Sequence, residues 1–299
     1  MAKIKNMAKS IDLKKDNAVS PGMVVWRRFK RNKIAMISLY IFIILVIITA
    51  LAPVLATHDR DRTSLRMKEM PPSSDNWLGT STLGRDIYTR VLYGGRVSML
   101  VGLGATAIQL FIGVILGSIA GYYGKFFDTI IMRIADVVLS LPFLIIAVIM
   151  ASILGAGMFN TMIVIGVLAW PGTCRIIRGQ FLSIKQTEYM EAARALGLKQ
   201  LQIIRKHMLP NTMAPLIINA TLAMAAAILI EAALSYLGLG VPPPTPSWGN
   251  MLESARNMRN IQHYPWMWVP PGTMIILSVL TINLIGDGLR DAFDPRLKR

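Results

Sequence analysis

The chain is short of the residues that most reactive sites are built from. Cys174 is the single cysteine among 299 residues, so there is no intrachain disulfide and no cysteine-built metal cluster. Three histidines, His58, His207 and His263, stand far apart, and no His-Glu-x-x-His pair for a zinc protease occurs. No Gly-x-x-x-x-Gly-Lys-Ser/Thr phosphate loop is present, so the chain lacks the usual cradle for a nucleotide. Acids are scarce too, 16 against 32 Lys and Arg, a net charge of +16. Only 16% of residues are charged, too few for the surface of a soluble domain of this length.

What fills the chain instead is apolar. Hydrophobic residues make up 54% and the mean hydropathy is +0.50. A helix needs about 20 apolar residues to cross the hydrocarbon of a bilayer. Six stretches qualify as candidates: Ile34–Ala56, Ser98–Tyr122, Ile130–Leu154, the shorter Thr161–Thr173, Ala214–Leu237 and Gly272–Leu289. The sequence therefore predicts an all-α membrane protein with six transmembrane helices. Ala50-Leu51-Ala52 imitates a signal-peptidase site, but the apolar run before it is about twice too long for a signal peptide, so the first span reads as an uncleaved anchor.

Lysine and arginine set the expected orientation. Ten precede the first span, seven lie between Cys174 and Met213, and four lie between Arg290 and Arg299. Four spans separate the first two groups and two more separate the last, so all three fall on one side and both termini are expected in the cytoplasm. Residues 57–96 carry seven basic side chains offset by five acids. The basic residues flank spans and form no single patch, which argues for contact with anionic membrane lipid and against nucleic acid. Residues 1–22 read as a disordered basic tail, 23–96 as the first span with an external segment, and 97–299 as a five-helix core containing a cytoplasmic loop over 174–212.

Within the spans, Gly113, Gly117 and Gly121 recur every four residues and leave one helix face bare. Such a face either admits a neighbouring helix closely or lines a solute path, and close packing is the commoner use. Arg133 and Asp136 are three residues apart and able to pair, while Asp287 is placed to pair with Arg290. Glu231 is the deepest acid, and either lines the translocation path or hydrogen-bonds across helices. Asp136 is a second path candidate. An ion-driven secondary transporter could use these two acids, but it predicts inverted repeats that the sequence does not display. Asp86–Arg96 reads as an amphipathic surface helix, and Trp248, Tyr264, Trp266 and Trp268 suit an interfacial belt.

The 174–212 loop is the most specific stretch. Glu188 and Glu191 precede Ala192, Ala193 and Ala195, so acids occupy the first turn of a helix with almost no side-chain bulk. Gly197 follows where a left-handed stop is cheapest, and Pro210 stands where a new helix begins. A thin preformed helix of this kind suits insertion into a groove on another protein.

The run Glu191-Ala-Ala, Gly197 and Leu209-Pro210 resembles the coupling loop of bacterial binding-protein-dependent ABC importer permeases. The longer form, from Glu188 to Gly197 and from His207 to Asn211, is similar to the C-type subunit of the dipeptide, oligopeptide and nickel branch. His207 stands where the family usually has Ile. Leu83-Gly84-Arg85-Asp86, Tyr93-Gly94-Gly95-Arg96 and Pro246-Ser247-Trp248-Gly249 carry the same resemblance. It implies the type I importer permease fold in the bacterial cell membrane. Glu188, Glu191, Ala192, Ala193, Gly197, Leu209 and Pro210 would form the ATPase-coupling site. Arg85, Asp86 and Trp248 would face an external solute-binding protein. It further implies a second homologous permease, two cytoplasmic ATPases that hold the ATP and magnesium, and no enzymatic activity or cofactor in this chain. Peptide is the implied solute, with nickel or a nickel chelate as the alternative.

Overall fold

A computed structural model describes residues 21–294. The disordered tail expected over 1–22 falls almost wholly outside the described residues, as do the basic residues at 296, 298 and 299. Pro21 and Gly22 themselves open the first described helix. Among the described residues, nine helices of eight residues or more carry the architecture. These are α1 (Pro21–Arg31), α2 (Lys33–Ala50), α3 (Ile87–Tyr123), α4 (Lys125–Ser140), α5 (Phe143–Leu154), α6 (Met158–Lys185), α7 (Glu188–Ala195), α8 (Met213–Tyr236) and α9 (Val269–Phe293). No strand occurs among the described residues.

Five of these helices are long and apolar enough to cross a membrane: α2, α3, α6, α8 and α9. α4 and α5 together are also apolar enough for a sixth candidate span, but they are bent by 92° at their junction. Pro142 causes the break. Leu141 before it is extended, as a pre-proline residue prefers, and Pro142 then caps α5. The continuous span expected over Ile130–Leu154 is thus two helices with a corner.

Two spans run well past their apolar stretches. The span expected over Thr161–Thr173 is α6, which carries Pro171 inside it and continues to Lys185. Its polar second half is satisfied by neighbours: Arg175 meets Asp136 at 2.6 Å, and Arg178 grips both carboxylate oxygens of Asp128 through Nε and one terminal nitrogen. The loop expected from residue 174 therefore starts at Gln186. The span expected from Ser98 begins at Ile87, so no separate surface helix covers 86–96. Its first turns are buried at Ile87, Arg90, Val91 and Leu92.

Chain direction divides the protein into two ends. One bears α1, the 186–212 segment and the last turn of α9. Here Arg28 donates to the Asp294 carbonyl at 3.0 Å, and Phe29 is buried against Ala35, Ile285 and Ala292. The other bears residues 56–86 and 237–268, tied by contacts such as Gly157 N–H to the Gly240 carbonyl at 2.9 Å.

The most extensive helix contact in the bundle is between α3 and α6. A Cβ on Gly113 would stand 2.6 Å from the Thr173 Cβ, one on Gly117 2.6 Å from the Cys174 carbonyl oxygen, and one on Gly121 2.5 Å from the Phe181 Cβ. The bare face is an interhelical contact, as small residues permit in a bilayer where apolar side chains gain little over lipid. Polar side chains add to it: Gln109 of α3 donates to Thr173 of α6 at 3.1 Å, and Thr173 donates to Asn219 of α8 at 2.8 Å. Replacing Gly117 by Leu should cost about 1–3 kcal/mol through overpacking. Thermal unfolding of the purified protein in detergent checks this, and a midpoint equal to wild type would show that α3 and α6 have room to spare.

Candidate functional site

Residues 186–212 form a compact projection at the α1 end. Thr187 starts α7: its carbonyl accepts from the Met190 and Glu191 N–H groups, and its own hydroxyl donates to the Ile184 carbonyl at 2.6 Å. Glu188 and Glu191 fall in the first turn, where the helix dipole favours acid. The helix stops at Gly197, whose φ is +72°, and the Leu198 N–H closes back onto the Ala193 carbonyl at 3.3 Å. This six-to-one closure with a left-handed residue is the Schellman arrangement. Nothing lies within 4 Å of the place a Gly197 Cβ would occupy, so the backbone angle alone demands glycine there.

One face of α7 is anchored and the other is free. Met190 is fully buried in a cluster with Ile177 and Phe181 of α6 and with Ile203 and Met208. Ala193, expected at the docking contact, is buried beside it and supports the helix from beneath. Glu188, Tyr189, Glu191, Ala192 and Ala195 point outward, and Leu196 is 80% exposed. Tyr189, Leu196 and Leu201 form an apolar rim that sequence reading missed, because an apolar residue on a short helix is ordinarily assigned to the core. The return runs through a wide turn over Ile204–Met208 into Leu209–Asn211, with Pro210 in the first turn. Pro210 lacks the N–H that a tight turn would use, which suits a widened one. Pro210 is exposed, and half-buried Leu209 packs under the cluster.

The remaining sequence-predicted residues lie elsewhere. Glu231 is fully buried and accepts hydrogen bonds from Ser98 of α3 and from Ser235, both at 2.7 Å. Ser98 in turn accepts from the Trp248 N–H at 3.1 Å, and Ser235 from the Val241 N–H at 3.1 Å. Of the two roles open to Glu231, the geometry is the cross-helix hydrogen bond. Asp136 is half exposed and pairs with Arg175 of α6, so the expected Arg133–Asp136 pair does not form. No ion pair joins Asp287 to Arg290 among the described residues.

At the opposite end, Trp248 is fully buried, its ring N–H donating to the Val91 carbonyl at 3.0 Å, which removes it from both the interfacial belt and the receptor-facing set. Asp86 is buried as well: it caps α3 through the Thr89 N–H at 2.7 Å and accepts from Asn76 at 2.9 Å. Arg85 alone of that set opens onto a cleft, of about 440 Å³. Nearby, the Arg60 guanidinium hydrogen-bonded to Asp61 holds that carboxyl below the ordinary carboxylate range.

An exposed, rigidly stopped helix is therefore seated on the end of the α3–α6 pair. The family described as binding-protein-dependent transport system inner membrane component matches residues 113–299. The chain belongs to this family. The N-terminal transmembrane domain of oligopeptide transport permease C matches residues 20–72. The dipeptide transport system permease protein DppC of Bacillus subtilis (strain 168) is 43% identical over 274 residues, covering 92% of this chain and 85% of that protein. The oligopeptide transport system permease protein OppC of the same organism is 40% identical over 272 residues, covering 91% and 88%. A chain from the MetNI methionine ABC transporter, seen in inward-facing conformations, superposes with a TM-score of 0.53 at 22% identity, over 70% of this chain and 96% of that one, and so shares the fold. As a member of the binding-protein-dependent permease family, this is an integral inner membrane protein with the type I ABC importer permease fold.

Two substitutions test the architecture of this permease. Gly197→Ala forces a left-handed L-residue, at a cost of about 1–2 kcal/mol. Amide hydrogen exchange over 188–198 should accelerate, and unchanged exchange would mean the stop is not held by the backbone angle. Glu231→Ala leaves the Ser98 and Ser235 hydroxyls without their acceptor and should cost about 1–3 kcal/mol, with Glu231→Gln costing less. Equal thermal midpoints for wild type and the alanine variant would remove the carboxylate from the packing of α3 against α8.

Proposed function

We propose that this chain is one transmembrane subunit of an ATP-driven importer of peptides, dipeptides or short oligopeptides. A homologous second permease completes the pore, two ATPases carry the ATP and magnesium and dock at the 186–212 end in the cytoplasm, and an external receptor delivers the solute to the other end. The observation that carries the proposal is α7: its outer face, Glu188, Glu191, Ala192 and Leu196, is offered to a partner while Met190 fastens its inner face to α6. Similarity to permeases named for dipeptide and oligopeptide transport supports peptide as the solute and favours it over nickel.

The mechanism follows from stiffness. An ATPase pair closing on ATP pulls α7 sideways. Met190, Ile203 and Met208 pass the displacement to Phe181 and Ile177, and the glycine-faced contact carries it into α3. A tightly packed pair moves as one body, because packed interiors shift between discrete arrangements and do not deform smoothly. The other helices then open the central path to one side of the membrane at a time.

Replacing Glu191 by Lys and Gly197 by Val together should uncouple the cycle. In proteoliposomes holding the whole transporter, ATP hydrolysis should persist while uptake of a labelled dipeptide falls about tenfold or more, the loss expected when binding energy of roughly 1.4 kcal/mol or more is removed. Insertion should be unchanged. Undiminished uptake in that double variant sinks the coupling assignment, and nickel uptake in place of dipeptide uptake by the wild type sinks the solute.

A further inference from the structure

The cleft at the end opposite α7 is lined by segment 81–90 from one side and segment 243–267 from the other. Three arginines line it, Arg85, Arg90 and Arg256, against one acid, Glu253. Two of the three are engaged. Arg90 donates to the Pro244 carbonyl at 3.2 Å and stands 4.0 Å from Asp61, and Arg256 lies 3.5 Å from Glu253 and over the Tyr236 ring. Arg85 feels the charge of Asp61 but makes no ion pair with it or with another acid within 4.0 Å among the described residues, and its Nε is buried without an acceptor. A buried guanidinium N–H left unpaired is costly, and the group that relieves it is an anion presented in its plane, most often a carboxylate held by two parallel hydrogen bonds.

The rest of the wall restricts which carboxylate fits. Leu83, Ile87, Met251 and Met267 lie in the same cleft as Arg85. Its volume, about 440 Å³, is that of a small-ligand pocket and not of a flat docking face. A group that couples a carboxylate to an apolar side chain one bond away matches it: the C-terminal residue of a peptide. The acidic side chain of a docking protein would fill the charged part and leave the apolar part empty.

We propose that this cleft is an entry subsite that takes the free α-carboxylate of an incoming peptide on Arg85, with the last side chain against Leu83 and Met251. The assignment rests on the peptide reading above and adds to it a recognition step in the permease itself. Arg90 and Arg256 raise the local potential without being spent on the ligand, and Glu253 moderates it. Because every unmodified peptide ends in the same carboxylate, such a subsite selects the class without selecting a sequence.

The test uses the whole transporter in nanodiscs without its receptor, with leucyl-leucine and its C-terminal amide as probes, and binding followed by saturation-transfer NMR. Wild type should bind the acid about tenfold or more tighter than the amide, as a charge-assisted hydrogen-bond pair implies. Arg85→Gln should erase the difference and Arg85→Lys should keep part of it. Glu253→Gln should widen it, which guards against a misfolded Arg85→Gln chain being read as support. Equal affinity for acid and amide in wild type overturns the proposal, as does a preference that survives Arg85→Gln. So does a loss of receptor docking in Arg85→Gln with the peptide preference intact, which would give the cleft to a receptor side chain. ATP-driven uptake of leucyl-leucine by the complete wild-type system is measured alongside. Its absence sinks the peptide reading, whereas uptake without an Arg85-dependent preference sinks this subsite alone.

Discussion

Glycine at 113, 117 and 121 lets α3 lie on α6 at backbone distance, and the rest of the molecule is arranged around that contact. In a bilayer, helices gain little from hiding apolar side chains, so close approach and interhelical hydrogen bonds supply the adhesion. Both occur here along one line: the three glycines, then the Gln109–Thr173–Asn219 chain that draws in α8. The lower end of α6 carries Ile177 and Phe181, on which the 186–212 projection is seated. The projection is thus fixed to a pair that cannot slide apart without breaking backbone contact.

The opposite end is governed by a different constraint, the need to satisfy polar groups away from water. Glu231 answers it with two serine hydroxyls, and those serines accept N–H groups from Trp248 and Val241, so one carboxylate ties α3, α8 and the segment after α8 together. Asp86 performs the same service for the start of α3 and the 76–80 segment. These closures make the cap at this end an extension of the bundle. Arg85, beside Asp86 in sequence, keeps its Nε buried without an acceptor.

Much of this was written in the chain. Composition and apolar run length established the membrane class and five of the candidate spans, because the hydrocarbon thickness imposes its own length on any helix that spans it. The Glu188–Gly197 segment announced its helix and its stop, since acid near the start, alanine within and glycine after are local preferences that need no tertiary partner. The spacing of Gly113, Gly117 and Gly121 marked a contact face for the same reason: four residues is about one helical turn.

Partners and exposure were decided only by the tertiary structure. Asp136 chose Arg175 on another helix over Arg133 on its own, and Trp248 looked interfacial but lies inside, on Gly94 and Gly95. The spans overran their apolar stretches wherever a distant residue satisfied their polar side chains, as Asp128 does for Arg178. Ala193 was legible as helix but not as the buried side of it, and Leu196 as apolar but not as exposed. Local sequence fixes backbone conformation because the relevant energies act over one or two turns. Which charge is met and which ring is buried depends on residues far along the chain, 39 positions apart for Asp136 and Arg175 and 157 for Val91 and Trp248, and only the folded bundle brings them within reach.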